Sequence, residues 1–202
     1  MSKFVTATIT TTPVSPMKGI YYIGQYGTSG YASAARGYLH HYFTSGIPIR
    51  WDPLYFDNSK MEDDDPYNIV VKSLINKPLP MYDIVIMHST PDLWRDFRRE
   101  KRAVMNGKIV IGYCTWETNR LPKDWAEYIN STVHEVWVPS SYNATCFKES
   151  GVKQLIRVVP HIFLSRPLPA KSQVKFSSMG NLLSSSDAFT FYTIGELILE
   201  KA

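Results

Sequence analysis

Two histidines, a glutamate and a set of hydroxyls stand where apolar runs of this chain end. His88 closes "YDIVIMH" and His161 closes "IRVVPH", while "KIVIGYCT" delivers Thr115, Trp116, Glu117 and Thr118 within a few residues. "HEVWVPS" hands over to Ser140 and Ser141, and "GIYYIG" leads into a turn containing Gly24, Gly27 and Gly30. An imidazole can donate, accept or carry a proton near neutral pH. A carboxylate and hydroxyls bind hydroxyl groups, and a glycine-rich turn exposes backbone N–H groups to anionic oxygens. Gathered in one place, such groups suit a ligand made of hydroxyls or phosphates. Each has a plainer reading alone. A glycine-rich stretch can be a tight turn, and this spacing is not GxGxxG. Glu117 can cap the segment after it, and a strand-end histidine can be structural. His40, His41 and His134 read as structural or surface residues.

The elements that must position these groups alternate. Strands are expected at 19–24, 47–54 (weakened by Pro48), 82–88, 108–115, 134–140 and 156–161. Helices are expected over 31–46, 67–76, 91–105, near 122–130 and over 142–150, with Gly46 and Gly151 as stops. The run at 82–88 is nearly continuous in apolar character, as a strand buried on both faces requires. Strand–helix alternation at this spacing predicts an α/β, Rossmann-like domain with a mostly parallel sheet flanked by helices. Its ligands belong at the carboxyl ends of the strands. Residues 1–18 read as a disordered lead-in, and 162–187, rich in Ser, Pro and Lys, as a linker. "AFTFYTIG" (188–195) then reads as a first strand of a further domain.

Composition narrows the class. The chain has 202 residues, 44% hydrophobic and 20% charged, as a globular domain does. A net charge of +4 favours anionic ligands without implying nucleic acid. No apolar run reaches the roughly 18–20 residues of a membrane span, and the N-terminus lacks the apolar core of a secretory signal. Cys114 and Cys146 have no metal-site spacing and read as free, buried thiols of a reducing, cytoplasmic compartment.

In order and spacing, "GTSGYASAARGYL", "YDIVIMHSTPDLW", "IGYCTWETNRLPKDWAEYIN", "EVWVPSSYNATCFKESGV" and "IRVVPH" resemble the N-terminal, acceptor-side domain of GT-B glycosyltransferases of the family 4 type. The resemblance runs from about 20 to 195. It implies transfer of a sugar, with retention, from a nucleotide-sugar co-substrate to a sugar or lipid-linked acceptor in an interdomain cleft, with no further cofactor and no metal. It makes His88 the first catalytic-site residue, positioning and polarising rather than attacking. The Gly27–Tyr31 turn, with Ser29 and Gly30, would face donor phosphates and acceptor, and Glu117 would bind an acceptor hydroxyl. Thr115, Trp116, Thr118, Ser140 and His161 complete the expected substrate surface. The family's donor domain normally brings a basic pair soon after its first strand. Here Lys201 has Glu200 where a basic neighbour is expected, so a donor-domain partner chain or a truncated enzyme enters the reading.

Three rivals stay open. Asp63 and Asp65 in "EDDD" have the Asp-X-Asp spacing of a metal-dependent GT-A transferase, although no strand precedes them. A binding module or half of a split enzyme, without chemistry of its own, is the second. The third comes from "DLWRDFRREKR" (92–102), where Arg95, Arg98, Arg99 and Arg102 form a basic stripe beside Trp94 and Phe97. Peripheral membrane contact is one reading of it, and a solvated helix with both aromatics in the core is the other. Nucleic acid is not expected.

Overall fold

The computed structural model describes residues 17–55, 61 and 65–162. The lead-in up to 16, Asp63 with its flanking acids at 62–64, the linker beyond 162 and the strand expected at 188–195 lie outside the described residues. In chain order the elements are β1 (Ile20–Gln25), α1 (Gly30–Thr44), β2 (Ile49–Leu54), α2 (Pro66–Lys72), β3 (Ile84–His88) and α3 (Pro91–Glu100). There follow α4 (Arg102–Met105), β4 (Ile109–Tyr113), α5 (Trp125–Thr132), β5 (Glu135–Val138), α6 (Ser141–Glu149) and β6 (Leu155–Val158). The strands form one sheet in the order β2-β1-β3-β4-β5-β6. Every neighbouring pair is parallel, so the sheet is wholly rather than mostly so.

Strands this apolar need cover on both faces. Tyr21, Ile23, Val85, Met87, Val110 and Val136 join one core with Trp94 and Phe97 of α3, Ile129 of α5 and Phe147 of α6. The alternate residues, Ile20, Tyr22, Ile86, Ile111 and Tyr113, join a second core with Ala35, Tyr38 and Leu39 of α1 and Val71 of α2. The strand order sets the working edge. From β1 the chain runs outward to β2, then returns on the far side of β1 to form β3. The carboxyl ends of β1 and β3 therefore border a topological switch point, where open α/β sheets leave a crevice.

Several boundaries differ from expectation for local reasons. Pro48 precedes β2 rather than weakening it, and its carbonyl accepts the Ile20 N–H at 2.9 Å. Pro53 does lie within β2, which sits at the sheet edge, where a missing N–H is tolerated. The single helix expected over 91–105 breaks at Lys101, whose φ is −107°. That residue's Nζ bonds Asp52 Oδ2 at 2.7 Å, tying the break to β2. Helix α5 starts later than expected because Asp124 adopts a left-handed φ of 71°. Strand β6 stops early: Val159 still donates to the Val138 carbonyl, but Pro160 has no N–H to continue the ladder.

On the α3 face, Gly112 of β4 lies against the indole of Trp94, and a Cβ there would overlap three atoms of that ring. Trp94 is fully buried and its Nε1 donates to Ser89 Oγ at 3.1 Å, so the ring has little room to yield. Gly112→Ala should therefore cost about 1–3 kcal/mol in urea denaturation, the range for overpacked cores. An unchanged unfolding midpoint would reject this packing account.

Candidate functional site

His88 ends β3 in register with Gly24 of β1 and Tyr113 of β4. It is 1% exposed, among the rings of Tyr31, Tyr38 and Tyr113, with Tyr113 edge-on at 4.3 Å between centroids. Its Nδ1 lies 2.5 Å from the Tyr22 hydroxyl, and its Nε2 has no partner among the described residues. Gly24 leaves room for that bond. Tyr22 precedes it on the same strand face, and a Cβ at Gly24 would stand 2.8 Å from the Tyr22 ring.

Burial lowers the pKa of His88 to about 3, and neighbouring His161 adds a smaller push in the same direction. The ring is neutral, so one nitrogen carries the proton. Burial also raises the Tyr22 pKa well above its ordinary value, which keeps its hydroxyl protonated. Were Nδ1 to donate to Tyr22, the tyrosine proton would lack an acceptor and Nε2 would keep an unused lone pair. With Tyr22 donating to Nδ1, only the Nε2–H is left over. Each buried unsatisfied group costs about 1–3 kcal/mol, so the second arrangement wins. His88 thus offers a neutral N–H donor.

Helix α1 brings a second set of donors. Ser29 caps it, accepting the Ala32 N–H at 3.1 Å, while no described group takes up the N–H of Gly30 or Tyr31. No acid occupies the first turn, so no side chain of α1 itself offsets the positive end of the helix dipole. A Cβ on Gly30 would meet nothing within 4 Å, so packing does not require a glycine there. The Tyr31 hydroxyl donates to the Thr115 carbonyl at 2.8 Å and accepts the Thr115 N–H at 3.1 Å, joining α1 to the loop after β4. Tyr38 and Tyr113 hydroxyls bond each other and the carbonyls of Val159 and Pro160. Those bonds bring in His161, whose Nε2 lies 3.5 Å from Thr115 Oγ1. Burial lowers the His161 pKa as well.

Gly30, Tyr31, Ala34, His88, Thr115, Glu117 and His161 line one cleft of about 260 Å³. Glu117 is exposed there and engages no described residue. Five other expected site residues are outside this lining. Gly27 is buried, with φ 115° and its carbonyl bonded by Arg36. Ser29 caps α1 and donates to Gln25 Oε1 at 2.7 Å. The Trp116 indole donates to Thr118 Oγ1 and the Arg120 carbonyl and packs edge-on against Trp125, which accounts for Thr118 too. Ser140 caps α6 through the Asn143 N–H at 3.2 Å. Asp65 likewise caps α2, accepting the Tyr67 N–H at 2.9 Å.

Sequence reasoning missed Tyr22, Ala34 and the Tyr38–Tyr113 pair. The period of two along β1 places Tyr22 on the face shared by Gly24 and His88, which is the signal that could have flagged it. The cleft can bind an anionic oxygen at the α1 N–H groups and accept a hydroxyl at Glu117, with His88 in its lining and the His88 Nε2–H closed to solvent. It holds no activated thiol, since burial pushes Cys114 up to about 12. No protein-family model matches the chain, and no curated protein matches its sequence.

Two outcomes follow from the His88 environment. Its folded pKa of about 3 lies below the usual 6.5 or so of an unfolded histidine, so the unfolded chain binds the extra proton between those values. Stability is lost as pH falls through that window, by about 1.4 kcal/mol per unit from this residue. Urea denaturation from pH 7 down to about 4.5 should show that added slope in the wild type relative to His88→Gln; parallel profiles would mean His88 is not held neutral. Separately, long-range ¹H–¹⁵N correlation should find His88 as the pure Nε2–H tautomer, and Tyr22→Phe should turn it into a mixture. A pure Nδ1–H pattern in the wild type would reverse the assignment.

Proposed function

We propose that this domain is the acceptor-side half of a GT-B glycosyltransferase, which transfers a sugar from a nucleotide-sugar donor to a hydroxyl acceptor. One observation carries the reading: at the switch-point crevice, a neutral, unpartnered imidazole N–H sits beside the two free N–H groups that open α1. Such a set polarises and positions oxygens without a metal or a nucleophile. In this role His88 donates to a ligand oxygen, the Gly30 and Tyr31 N–H groups receive an anionic oxygen, and Glu117 accepts from the acceptor hydroxyl. A donor-binding domain, in the same polypeptide or a partner chain, supplies the other wall. Two buried free thiols accord with a reducing, cytoplasmic setting. Among the described residues no helix is long and apolar enough to cross a membrane.

The lowered His88 pKa and raised Cys114 pKa also favour a second reading, a module that binds sugar or phosphate without chemistry of its own. The metal-dependent alternative receives no such support, because Asp65 is engaged as a helix cap. Membrane docking through the aromatics of α3 is likewise not proposed, since Trp94 and Phe97 point into the core.

Titration of ¹⁵N-labelled protein with UDP-glucose, GDP-mannose and simple methyl glycosides should shift signals of Gly30, Tyr31, Thr115 and Glu117. When the chain is joined to a donor domain, His88→Ala should lower sugar transfer by about 10²-fold or more. Binding at these residues without transfer in the joined protein would favour the module. Absence of binding by every probe would overturn both readings.

A further inference from the structure

The basic segment over 92–102 is not taken up by the cleft at His88, and its arginines divide by surroundings. Arg95 lies over the Tyr128 ring at 4.7 Å. Arg99 is near Asp96 at 3.4 Å and Glu100 at 3.6 Å. Arg98 and Arg102 instead border a second cleft, of about 410 Å³, shared with Asn106, Gly107, Lys108 and His134. Lys108 immediately precedes β4 and His134 immediately precedes β5. This cleft is therefore at the amino edge of the sheet, opposite the one at His88.

Its chemistry is almost wholly that of hydrogen-bond donors. Arg102 has no hydrogen bond or ion pair through its side chain among the described residues. Arg98 uses Nη1 on the Thr132 carbonyl at 3.0 Å, which fixes the guanidinium and leaves its other donors unused. Lys108 Nζ is held by the Tyr82 carbonyl at 2.9 Å and lies over the Tyr82 ring at 4.7 Å. His134 Nδ1 accepts the Val110 N–H at 3.0 Å, so its proton resides on Nε2. Among the described residues no carboxylate lines the cleft. Three cations, on α3, on α4 and just before β4, repel one another across a concavity with no counter-charge among the described residues, an arrangement that a bound anion would relieve.

We infer that this second cleft binds a multiply charged oxyanion, namely the phosphate groups of a phosphorylated ligand. Two guanidiniums match phosphate oxygens in forked pairs, the ammonium adds a point charge, and the His134 Nε2–H is a further donor. The volume exceeds that of the cleft at His88, leaving room for more than one phosphate. Occupancy here does not depend on the function proposed for the other edge. The phosphate can belong to a free small molecule or to a lipid headgroup, which experiment separates.

The probe is inorganic pyrophosphate, titrated into ¹⁵N-labelled full chain at low ionic strength. Saturable shifts are expected at Gly107, Lys108 and His134, independent of any shift at Gly30 and Thr115. Arg102→Glu should weaken binding about tenfold or more, whereas Arg99→Glu, the same charge change outside the cleft, should alter it less than about twofold. Both arginines are exposed, so both variants should keep the wild-type spectrum; Arg98→Gln provides a second, milder loss. Flotation with phosphatidylcholine vesicles containing phosphatidic acid, lost in Arg102→Glu and kept in Arg99→Glu, would assign the phosphate to a headgroup. Saturable pyrophosphate binding without flotation would assign it to a free ligand. No saturable binding of either kind, or equal losses in Arg99→Glu and Arg102→Glu, would overturn the site.

Discussion

Keeping one imidazole dry and neutral constrains the carboxyl edge of this sheet more than any other requirement. His88 can remain buried only uncharged and with at least one nitrogen bonded. Tyr22 supplies that bond at 2.5 Å, and Gly24 supplies the space the tyrosine ring occupies on its way there. Tyr38 and Tyr113 line the same space, and their hydroxyls find acceptors on the segment that carries His161. One desolvated ring thus accounts for a glycine in β1, a tyrosine in each of β1, α1 and β4, and the approach of the chain beyond β6.

The two edges of the sheet differ in kind. At the carboxyl edge, backbone and side chain combine: free N–H groups at a helix start, a neutral imidazole, and a carboxylate in solvent. Positive potential there comes from the helix dipole, short in range and able to place a single anionic oxygen. At the amino edge it comes from whole charges on flexible stems, only two of which are tied to carbonyls. The first arrangement suits orientation of a ligand atom. The second suits attraction of a multiply charged ligand, and it is the more sensitive to salt.

Much of the architecture was legible because it follows from local rules. Apolar runs of strand length separated by helical periods specify a covered parallel sheet, and strand ends then point to one candidate edge. His88, Thr115, Glu117 and His161, expected from three different segments, do share one cleft with Gly30 and Tyr31. What sequence could not separate was a hydroxyl that binds a ligand from one that caps a helix. Ser29 and Ser140 each precede a helix, and the orphan N–H groups there claim them. Trp116 and Thr118 were illegible for another reason, since their bonds to Arg120 depend on how the loop folds back. The basic stripe was read as one feature. A break at Lys101 and pairing with Asp96 and Glu100 divide it into residues with different surroundings.

Magnitudes indicate how far the cleft at His88 can act alone. Hydrogen bonds to a charged oxygen contribute about 1.5–3 kcal/mol each, and the helix dipole adds about 0.3–1 kcal/mol at an exposed site. Two N–H groups, the His88 donor and a hydroxyl contact at Glu117 together contribute about 6–12 kcal/mol. Association costs about 4–15 kcal/mol in lost translational and rotational freedom. The surplus on this wall is small or absent, so these groups orient a ligand better than they retain it. Tight retention requires contacts from a second surface, and in a transferase such contacts are better reserved for the transition state than for the resting ligand. A neutral donor would fit that division of labour in the proposed transferase: with no full charge to hold a resting hydroxyl tightly, it would gain most where negative charge develops on a ligand oxygen.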